Sequence, residues 1–254
     1  MIRSIYLAVP AILLTIGSTV MLFVDGASWA LGLAVGIVAL VIIFMLKDAI
    51  DWKYYLKHPP ELEARVLNIL GKVPYYKQLS EQDKIIFRHR LALFMLAHEY
   101  RMQATAGAED DERDEAPEDL KAVCSIPAII LLFDQEEYLI RKVEQIVFYR
   151  HPFPTPLFKV LHHSEWNEED KVIIFSIPHL YKGVMEPFIY FDLGLYEWMK
   201  ASGSVVKSGY TWPQFEEKYG ITQDQLVLAI GLPQPDLDAV KLVLDIHTSY
   251  LKEL

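Results

Sequence analysis

Charge is missing from most of the first 46 residues. No Asp, Glu, Lys or Arg occurs in residues 4–24, and after Asp25 none occurs in residues 26–46. Each run is about 21 residues long, and about 20 apolar residues cross the hydrocarbon core of a bilayer as a helix. A cleaved signal peptide has one shorter apolar core and no second run. The sequence therefore predicts two membrane helices, about 4–24 and 27–46, joined by a tight turn after Asp25.

Basic residues are also absent from the turn between the two runs. Arg3 precedes the first run, whereas Lys47, Lys53 and Lys57 follow the second. Because cytoplasmic flanks carry the excess of Lys and Arg, we expect a multi-pass protein of the cell (inner) membrane with both termini in the cytoplasm. The runs lack the buried charge of a transport or proton-relay site. Residues 4–46 are therefore interpreted as an anchor whose partner is the lipid bilayer.

Two glycines form a small-residue face on the second run. Gly32 and Gly36 are four residues apart, a spacing that lets another helix approach closely. The approaching helix is either the first run of the same hairpin or a second copy of the chain. The sequence leaves a homodimer through Gly32 and Gly36 open.

The chain has one cysteine and a deficit of basic residues. Cys124 cannot form an internal disulfide, which agrees with a reducing compartment. The net charge is −10, and the acidic excess lies after the membrane runs. Because phosphate binding needs clustered Lys and Arg, no nucleic acid is expected as a partner.

Residues 1–50 are thus predicted to be a membrane hairpin, residues 51–74 a juxtamembrane linker with a short helix, and residues 75–254 a cytoplasmic domain. The period of the apolar residues changes from helical to strand-like within this domain. A small, mainly antiparallel sheet packed against helices, an α+β arrangement, is expected. Its strands are predicted at residues 143–149, 158–162 and 172–175, with Ser164–Asp170 as a hairpin loop.

Ser80 is predicted to cap a long helix that extends to about Met102. Near the C-terminus, Gly220 is predicted to end one short helix, and Thr222 to open another, through a capping box, that ends at Gly231. The pair His98–Glu99 in this helix lacks a second histidine at position 102, so we interpret it as ordinary helix surface. The acidic residues of segment 109–115 form a like-charge block typical of a solvated loop, and they lack the spacing of a calcium loop.

The run Phe188–Ala201 has the apolar spacing of an amphipathic helix. A zinc-peptidase helix carries His-Glu-x-x-His, because histidines four residues apart share a face and can hold one metal ion. The intervening Glu activates the metal-bound water. Here the corresponding frame reads Tyr196-Glu197-Trp198-Met199-Lys200. The acid is present and both histidines are replaced.

From about Trp52 to Ala201 the chain resembles the Mlc titration factor A (MtfA)-like zinc-dependent peptidases. The resemblance fades after about residue 202, so the region that supplies a further zinc ligand in that family has no recognisable counterpart. The matching segments occur in this order: Tyr75-Tyr76-Lys77-Gln78-Leu79-Ser80, Glu118-Asp119-Leu120-Lys121, Val147-Phe148-Tyr149-Arg150-His151-Pro152-Phe153-Pro154, Val172-Ile173-Ile174-Phe175-Ser176 and Asp192-Leu193-Gly194-Leu195.

The resemblance implies a zincin-like domain in which Tyr196 and Lys200 stand at former metal-ligand positions. Glu197 would be a vestigial general base, with no metal and no cofactor bound. A neutral phenol is a poor zinc ligand, and an ammonium group has no lone pair to donate. We hypothesise that Lys200 occupies the space of the metal and pairs with Glu197, three residues earlier on the helix. The alternative is that both side chains face solvent.

Three functions remain open from the sequence. The leading one is a membrane-anchored, catalytically inactive peptidase relative that binds a protein or peptide in a groove beside the degenerate helix, by addition to a sheet edge. The second is an active metal-dependent hydrolase whose zinc is held by His151, His162 or His163 together with Glu197. The third is a structural membrane protein in which the membrane helices are the functional part.

Overall fold

Two compact units make up the chain, Met1–Pro60 and Glu61–Leu254. The computed structural model describes residues 3–103, 115–205, 207, 209–231 and 235–251. The predicted acidic loop 109–115 lies outside the described residues, except for Glu115 at its end.

The first unit is a helical hairpin. Helix α1 spans Ser4–Asp25, a 3-10 turn spans Gly26–Trp29, and helix α2 spans Ala30–Tyr55. The helical stretch Ser4–Tyr55 is long and apolar enough to cross a membrane, with a mean hydropathy of 2.8 in an 18-residue window. Most of its large apolar side chains are exposed rather than buried within the hairpin.

The glycine face of α2 lies against α1. A Cβ atom added to Gly36 would lie 2.4 Å from Oγ1 and 3.1 Å from the backbone nitrogen of Thr15. A Cβ atom added to Gly32 would lie 2.6 Å from Oγ of Ser18. The first helix of the same hairpin therefore packs on this face, and a homodimer through the two glycines stays a prediction.

The second unit mixes helices with one small sheet, which confirms the combination of the two element types expected from the sequence. Its helices are α3 Ala64–Leu70, α4 Pro74–Gln78, α5 Glu81–Ala97, α6 Glu118–Leu131, α7 Ile177–Met185, α8 Leu193–Ser202, α9 Trp212–Tyr219, α10 Gln223–Ile230 and α11 Leu237–Leu251. Its strands are β1 Glu99–Met102, β2 Gln145–Tyr149, β3 Ser164–Asn167 and β4 Val172–Ser176.

The prediction of a mainly antiparallel sheet is wrong. The strand order is β1-β2-β4-β3, and the pairs β1–β2 and β2–β4 are parallel. Only β3 and β4 pair in antiparallel fashion, with Ser164 opposite Phe175. Parallel neighbours need a crossover connection rather than a tight turn. The segment containing α6 provides that connection between β1 and β2.

Two of the sheet's strands occur where other structures were expected. β1 lies in the last residues of the predicted long helix, and β3 lies in the predicted hairpin loop. Residues 158–162 do not form a strand; His162 makes a single bridge to Phe153. β3 was not recognised as a strand because its first two residues are polar. Ser164 and Glu165 are buried, and hydrogen bonds rather than apolar contacts satisfy their side chains.

The long helix ends earlier than its apolar spacing suggested. Ser80 caps α5 as predicted, accepting a hydrogen bond from the backbone of Asp83 at 3.1 Å, but the helix ends at Ala97. His98 is buried, and its ring nitrogens contact the carbonyl oxygens of Phe94 at 2.9 Å and Ile140 at 3.2 Å. The interpretation of His98–Glu99 as helix surface is therefore wrong.

Local end signals mark the C-terminal helices correctly. Gly220 ends α9 and Gly231 ends α10, each with the positive φ that favours glycine. Thr222 and Gln225 form a capping box at the start of α10. These helices and α11 contribute Phe215, Leu226, Ile230 and Val240, among others, to the core of the second unit.

Candidate functional site

Helix α8 lies in the interior of the second unit. It begins at Leu193, and the buried side chain of Asp192 accepts a hydrogen bond from the backbone of Leu195 at 2.8 Å. From Leu193 to Ala201 every residue except Lys200 is buried, so the amphipathic helix predicted from Phe188 is wrong in its start and in its solvent-facing side. Contacts with α6, α7, α11 and β3 surround the helix.

Glu197 is the fully buried acid at the centre of this helix. Its Oε1 accepts a hydrogen bond from Oγ of Ser164 on β3 at 2.7 Å. Its Oε2 lies 2.7 Å from Nζ of Lys200. The hypothesis that Lys200 pairs with Glu197 is confirmed, and the solvent-facing alternative does not hold for the acid.

Lys200 brings the positive charge to the acid from the edge of the core. Its side chain is 19% exposed, and Nζ lies 4.5 Å from the ring centroid of Tyr196. Burial by itself would lower the pKa of Lys200. The charge of Glu197, the hydrogen bond to it, and the charges of Tyr196 and Asp236 together outweigh burial, and the pKa is raised. The ammonium form is therefore favoured, and it has no lone pair for a metal.

Tyr196 is engaged in a different interaction. Its ring is buried against Phe191, and its hydroxyl oxygen accepts a hydrogen bond from the backbone N–H of Asp236 at 3.0 Å. Burial raises the pKa of Tyr196 to about 12. The phenol stays neutral near pH 7 and anchors the start of α11 rather than a metal.

Strand β3 contains a second buried acid, Glu165. Oε2 of Glu165 accepts a hydrogen bond from Oγ1 of Thr155 at 2.6 Å and lies 3.0 Å from Nε2 of His162. Burial raises the pKa of Glu165, but these two contacts and the charges of His162 and Lys200 outweigh it, and the pKa is lowered. Nδ1 of His162 lies 2.9 Å from the carbonyl oxygen of Val160. Each ring nitrogen of His162 therefore lies within hydrogen-bond distance of an oxygen atom.

We call the set Glu197, Lys200, Ser164, Glu165 and His162 the buried polar cluster. It contains two carboxylates, one ammonium group, one imidazole and one hydroxyl group. A divalent ion would have to displace Lys200 from Glu197, and Tyr196 and Lys200 offer it no suitable donor. The residues of the degenerate motif therefore do not fit zinc.

The histidines proposed as alternative metal ligands do not converge on Glu197. His151 is exposed, and His162 is committed to Val160 and Glu165. His163 stacks on His179 with ring centroids 3.6 Å apart. Burial, followed by the charges of neighbouring histidines, lowers the pKa of His163 to about 4. Within the described ranges, no group of three or more His, Cys, Asp or Glu side chains has the arrangement of a metal site.

Sequence reasoning missed Ser164, Glu165 and Thr155. Glu168, Glu169 and Asp170 follow within five residues and are also acidic. No local pattern distinguishes Glu165 from them. Only the position of β3 next to α8 shows that one of these acids lies in the core. Ser164 and Glu165 are two of the five residues of the buried polar cluster.

A smaller buried pair lies at the start of α8. Oδ2 of Asp192 is 3.6 Å from Nε2 of His247 on α11. Burial raises the pKa of Asp192 to about 6 and lowers the pKa of His247 to about 4. The neutral forms of both groups are therefore favoured in the interior.

No protein family, no characterised protein and no solved structure matches this chain. The resemblance to the MtfA-like peptidases accordingly stays a prediction from the five short segments and the degenerate motif.

Proposed function

We propose that this chain is a membrane-anchored, catalytically inactive relative of the MtfA-like zinc peptidases that binds a protein or peptide. One observation carries the proposal: the ammonium group of Lys200 is 2.7 Å from the carboxylate of Glu197, inside the core. A water-activating acid needs a metal-bound water beside it. An internal cation takes that position, so the helix keeps its packing and its acid without the hydrolytic chemistry.

We further propose that α1 and α2 each cross the membrane and that the second unit is a zincin-like cytoplasmic domain. The absence of charge from residues 4–24 and 26–46 supports two crossings, and Arg3 and Lys47 flank them on the same side. The exposed apolar side chains of both helices support a lipid environment, because apolar patches of this extent are unfavourable in water. The protein would then belong to the cell (inner) membrane with both termini in the cytoplasm.

The edge strand β3 is the surface that we propose for peptide binding. β1 lies at the other edge, where the backbone N–H of Ala116 contacts the carbonyl oxygen of Tyr100 and Glu115 bridges Arg101. β3 has β4 as its partner within the described sheet, and its accessible part is Trp166–Asn167, because Ser164 and Glu165 are buried. An extended peptide can add to such an edge through backbone hydrogen bonds, and side-chain pockets then set its specificity.

Metal content tests the inactive assignment. We expect full-length protein purified in detergent to contain zinc far below one equivalent by elemental analysis, and to have no peptidase activity on a casein substrate when zinc is added. Near-stoichiometric zinc that is lost together with activity in His162→Ala or His163→Ala would instead establish the metal-dependent hydrolase. Tyr219→Phe, a change remote from Glu197 in sequence, serves as the matched control.

A peptide library tests the binding assignment. The full chain, embedded in lipid nanodiscs, is screened against displayed random peptides, with empty nanodiscs as the control. We expect enriched extended peptides that crosslink to a photoreactive group placed at Asn167 on β3, and not to the same group placed at Gln103 after β1. No enrichment over empty discs, or crosslinking at Gln103 alone, would contradict the proposal and leave the hairpin as the functional part.

A further inference from the structure

Residues 153–162, which we call the Phe153–His162 loop, protrude from the second unit with their apolar side chains outward. Leu157 is 62% exposed, Val160 50% and Leu161 66%, and Phe158 is also exposed. Scattered exposed apolar residues are ordinary, but a contiguous group on one loop marks a surface that contacts something apolar.

The loop is held in this shape from inside. Its ends are joined by two hydrogen bonds between the backbones of Phe153 and His162, both 3.0 Å. The backbone of Thr155 donates to the carbonyl oxygen of Phe158 at 2.8 Å, and Phe158 returns a bond to the Thr155 hydroxyl at 3.1 Å. The buried ring of His162 packs against Phe153 and Phe158 and bonds to Val160. The exposed side chains are thus presented by a fixed scaffold, which lowers the entropy lost on binding.

The formal charge along the loop segment differs from that of the chain as a whole, and the acid in contact with it, Glu165, is buried beneath Thr155 and His162. The protein has a net charge of −10, yet residues 150–163 contain no Asp or Glu and include Arg150 and Lys159. Lys159 is exposed between the apolar side chains Phe158 and Val160. Apolar side chains interleaved with basic ones favour the interface of an anionic bilayer, where rings and aliphatic groups enter the headgroup region and cations stay near the lipid phosphates.

We infer that the Phe153–His162 loop inserts Leu157, Phe158 and Leu161 into the interfacial region of an anionic membrane, with Lys159 near the lipid headgroups. The inference rests on the membrane anchoring proposed above, and it is independent of peptide binding at β3. Because the hairpin keeps the second unit at the membrane, the loop meets lipid at a high effective concentration, and a small apolar patch with one or two cations suffices. Docking would fix which side of the second unit faces the bilayer.

Site-directed fluorescence on the full chain tests this inference. Single cysteines at Leu161, at Leu13 in α1 and at Leu96 in α5 are labelled with an environment-sensitive dye. Cys124 is fully buried and so does not compete for the label. Each protein is reconstituted as one copy per nanodisc, in phosphatidylglycerol or in phosphatidylcholine. Quenching by doxyl-labelled lipid reports membrane contact, and quenching by iodide reports contact with water.

We expect the dye at Leu161 to be quenched by doxyl lipid in phosphatidylglycerol, with its iodide quenching constant lower by at least about twofold than at Leu96. Lys159→Glu should abolish the preference for phosphatidylglycerol. Lys72 is an exposed lysine just after α3, and Lys72→Glu should leave the preference unchanged. The dye at Leu13 should be quenched by doxyl lipid throughout.

Two results would overturn the inference in distinguishable ways. Doxyl quenching at Leu13 with free iodide access at Leu161 in both lipids would leave the anchor in place and refute docking of the loop. Lack of doxyl quenching at Leu13 would refute the anchor, and docking with it. Protection of Leu161 that requires two protein copies per disc, or an added peptide, would assign the loop to a protein partner and refute the membrane as its occupant.

Discussion

A carboxylate in a protein interior requires compensation by a nearby cation or by hydrogen-bond donors, because burial penalises its charged form. Glu197 has both, from Lys200 at 2.7 Å and from Ser164 at 2.7 Å. Glu165 accepts a hydrogen bond from Thr155, and its Oε2 lies 3.0 Å from Nε2 of His162. The two buried acids thus have polar partners, and Tyr196 and Lys200 have partners of their own.

Removal of the ammonium group should expose how much the core depends on it. Lys200→Met is expected to lower the free energy of unfolding by about 3–5 kcal/mol, since it leaves Glu197 buried without a counter-charge. Urea unfolding of the detergent-solubilised chain, followed by tryptophan fluorescence, measures the loss. Addition of Glu197→Gln to this variant should restore part of it, because the amide oxygen can still accept from Ser164.

The exposed pair of Lys171 with Glu144 provides the control for that measurement. Lys171→Met should change the free energy of unfolding by less than about 1 kcal/mol, the usual range for an ion pair in water. An equal effect of Lys171→Met and Lys200→Met would show that burial of Glu197 is not what makes its partner necessary.

The Asp192–His247 pair makes two opposite contributions to the pH dependence of stability. The pKa of Asp192 is raised from 3.8 to about 6, so its contribution is present below pH 3.8 and is lost as the pH rises toward 6. The pKa of His247 is lowered from 6.5 to about 4, so its contribution grows as the pH rises through the same range. The two nearly cancel between pH 4 and 6 in the native chain.

Asp192→Asn should separate these contributions. Asparagine still caps α8, but it does not titrate. Relative to the native protein, the variant should gain stability by up to about 1.4 kcal/mol per pH unit from pH 4 to 6. Urea unfolding at pH 4.5, 5.25 and 6 measures the slope. An unchanged slope would mean that Asp192 titrates in the folded protein as it does in the unfolded chain.

At the scale of elements, helix and strand contacts depend on a few close approaches. The hairpin needs Gly36, because a side chain there would meet the backbone of Thr15 at 3.1 Å. Gly17 in α1 has open space around it, with nothing within 4 Å of an added Cβ. Gly36 is tightly packed and Gly17 is not, so substitutions at these two positions form a matched pair.

Gly36→Leu is expected to separate α1 from α2, and Gly17→Leu is not. Cysteines introduced at Ser4 and Asp51, whose side chains are hydrogen-bonded at 2.8 Å, report the pairing by forming a disulfide under oxidation. The yield should fall severalfold in Gly36→Leu and stay unchanged in Gly17→Leu. A covalent dimer on a non-reducing gel would instead indicate that the helices pair between copies of the chain.

At the scale of the whole molecule, the chain joins a largely apolar hairpin to an acidic α and β unit. If the hairpin crosses a membrane as we propose, the basic residues that flank it favour both of its ends on the cytoplasmic side. Arg3, Lys47, Lys53 and Lys57 all lie outside the turn. The proposed orientation therefore rests on residues of the first unit alone.

Cysteine labelling in intact cells tests this orientation. With a membrane-impermeant maleimide, Ala27→Cys in the turn should be labelled, and His58→Cys should be labelled only after the membrane is permeabilised. Both positions are exposed in the first unit, and the native Cys124 is buried. Labelling of His58→Cys in intact cells would reverse the orientation and place the second unit outside the cytoplasm.

The parts of the fold that the sequence predicted correctly depend on neighbours along the chain. The cap at Ser80, the capping box at Thr222 and the helix ends at Gly220 and Gly231 each involve residues within one helical turn. The pairing of Lys200 with Glu197 belongs to the same class, because residues three apart share a helix face. These features were accessible because their partners are fixed by the backbone geometry of a single element.

Only the tertiary structure decided the features that join distant segments. The parallel direction of β1, β2 and β4, the position of β3, and the contact of Glu165 with His162 beside α8 depend on crossovers and packing that no short window contains. The sequence by itself determined that this chain begins with two uncharged runs, residues 4–24 and 26–46, and that Lys200 lies one helical turn from Glu197. The packing of β3 against α8 determined that Glu197 is buried and that Ser164 donates a hydrogen bond to it, because a carboxylate in the core needs polar partners from the elements around it.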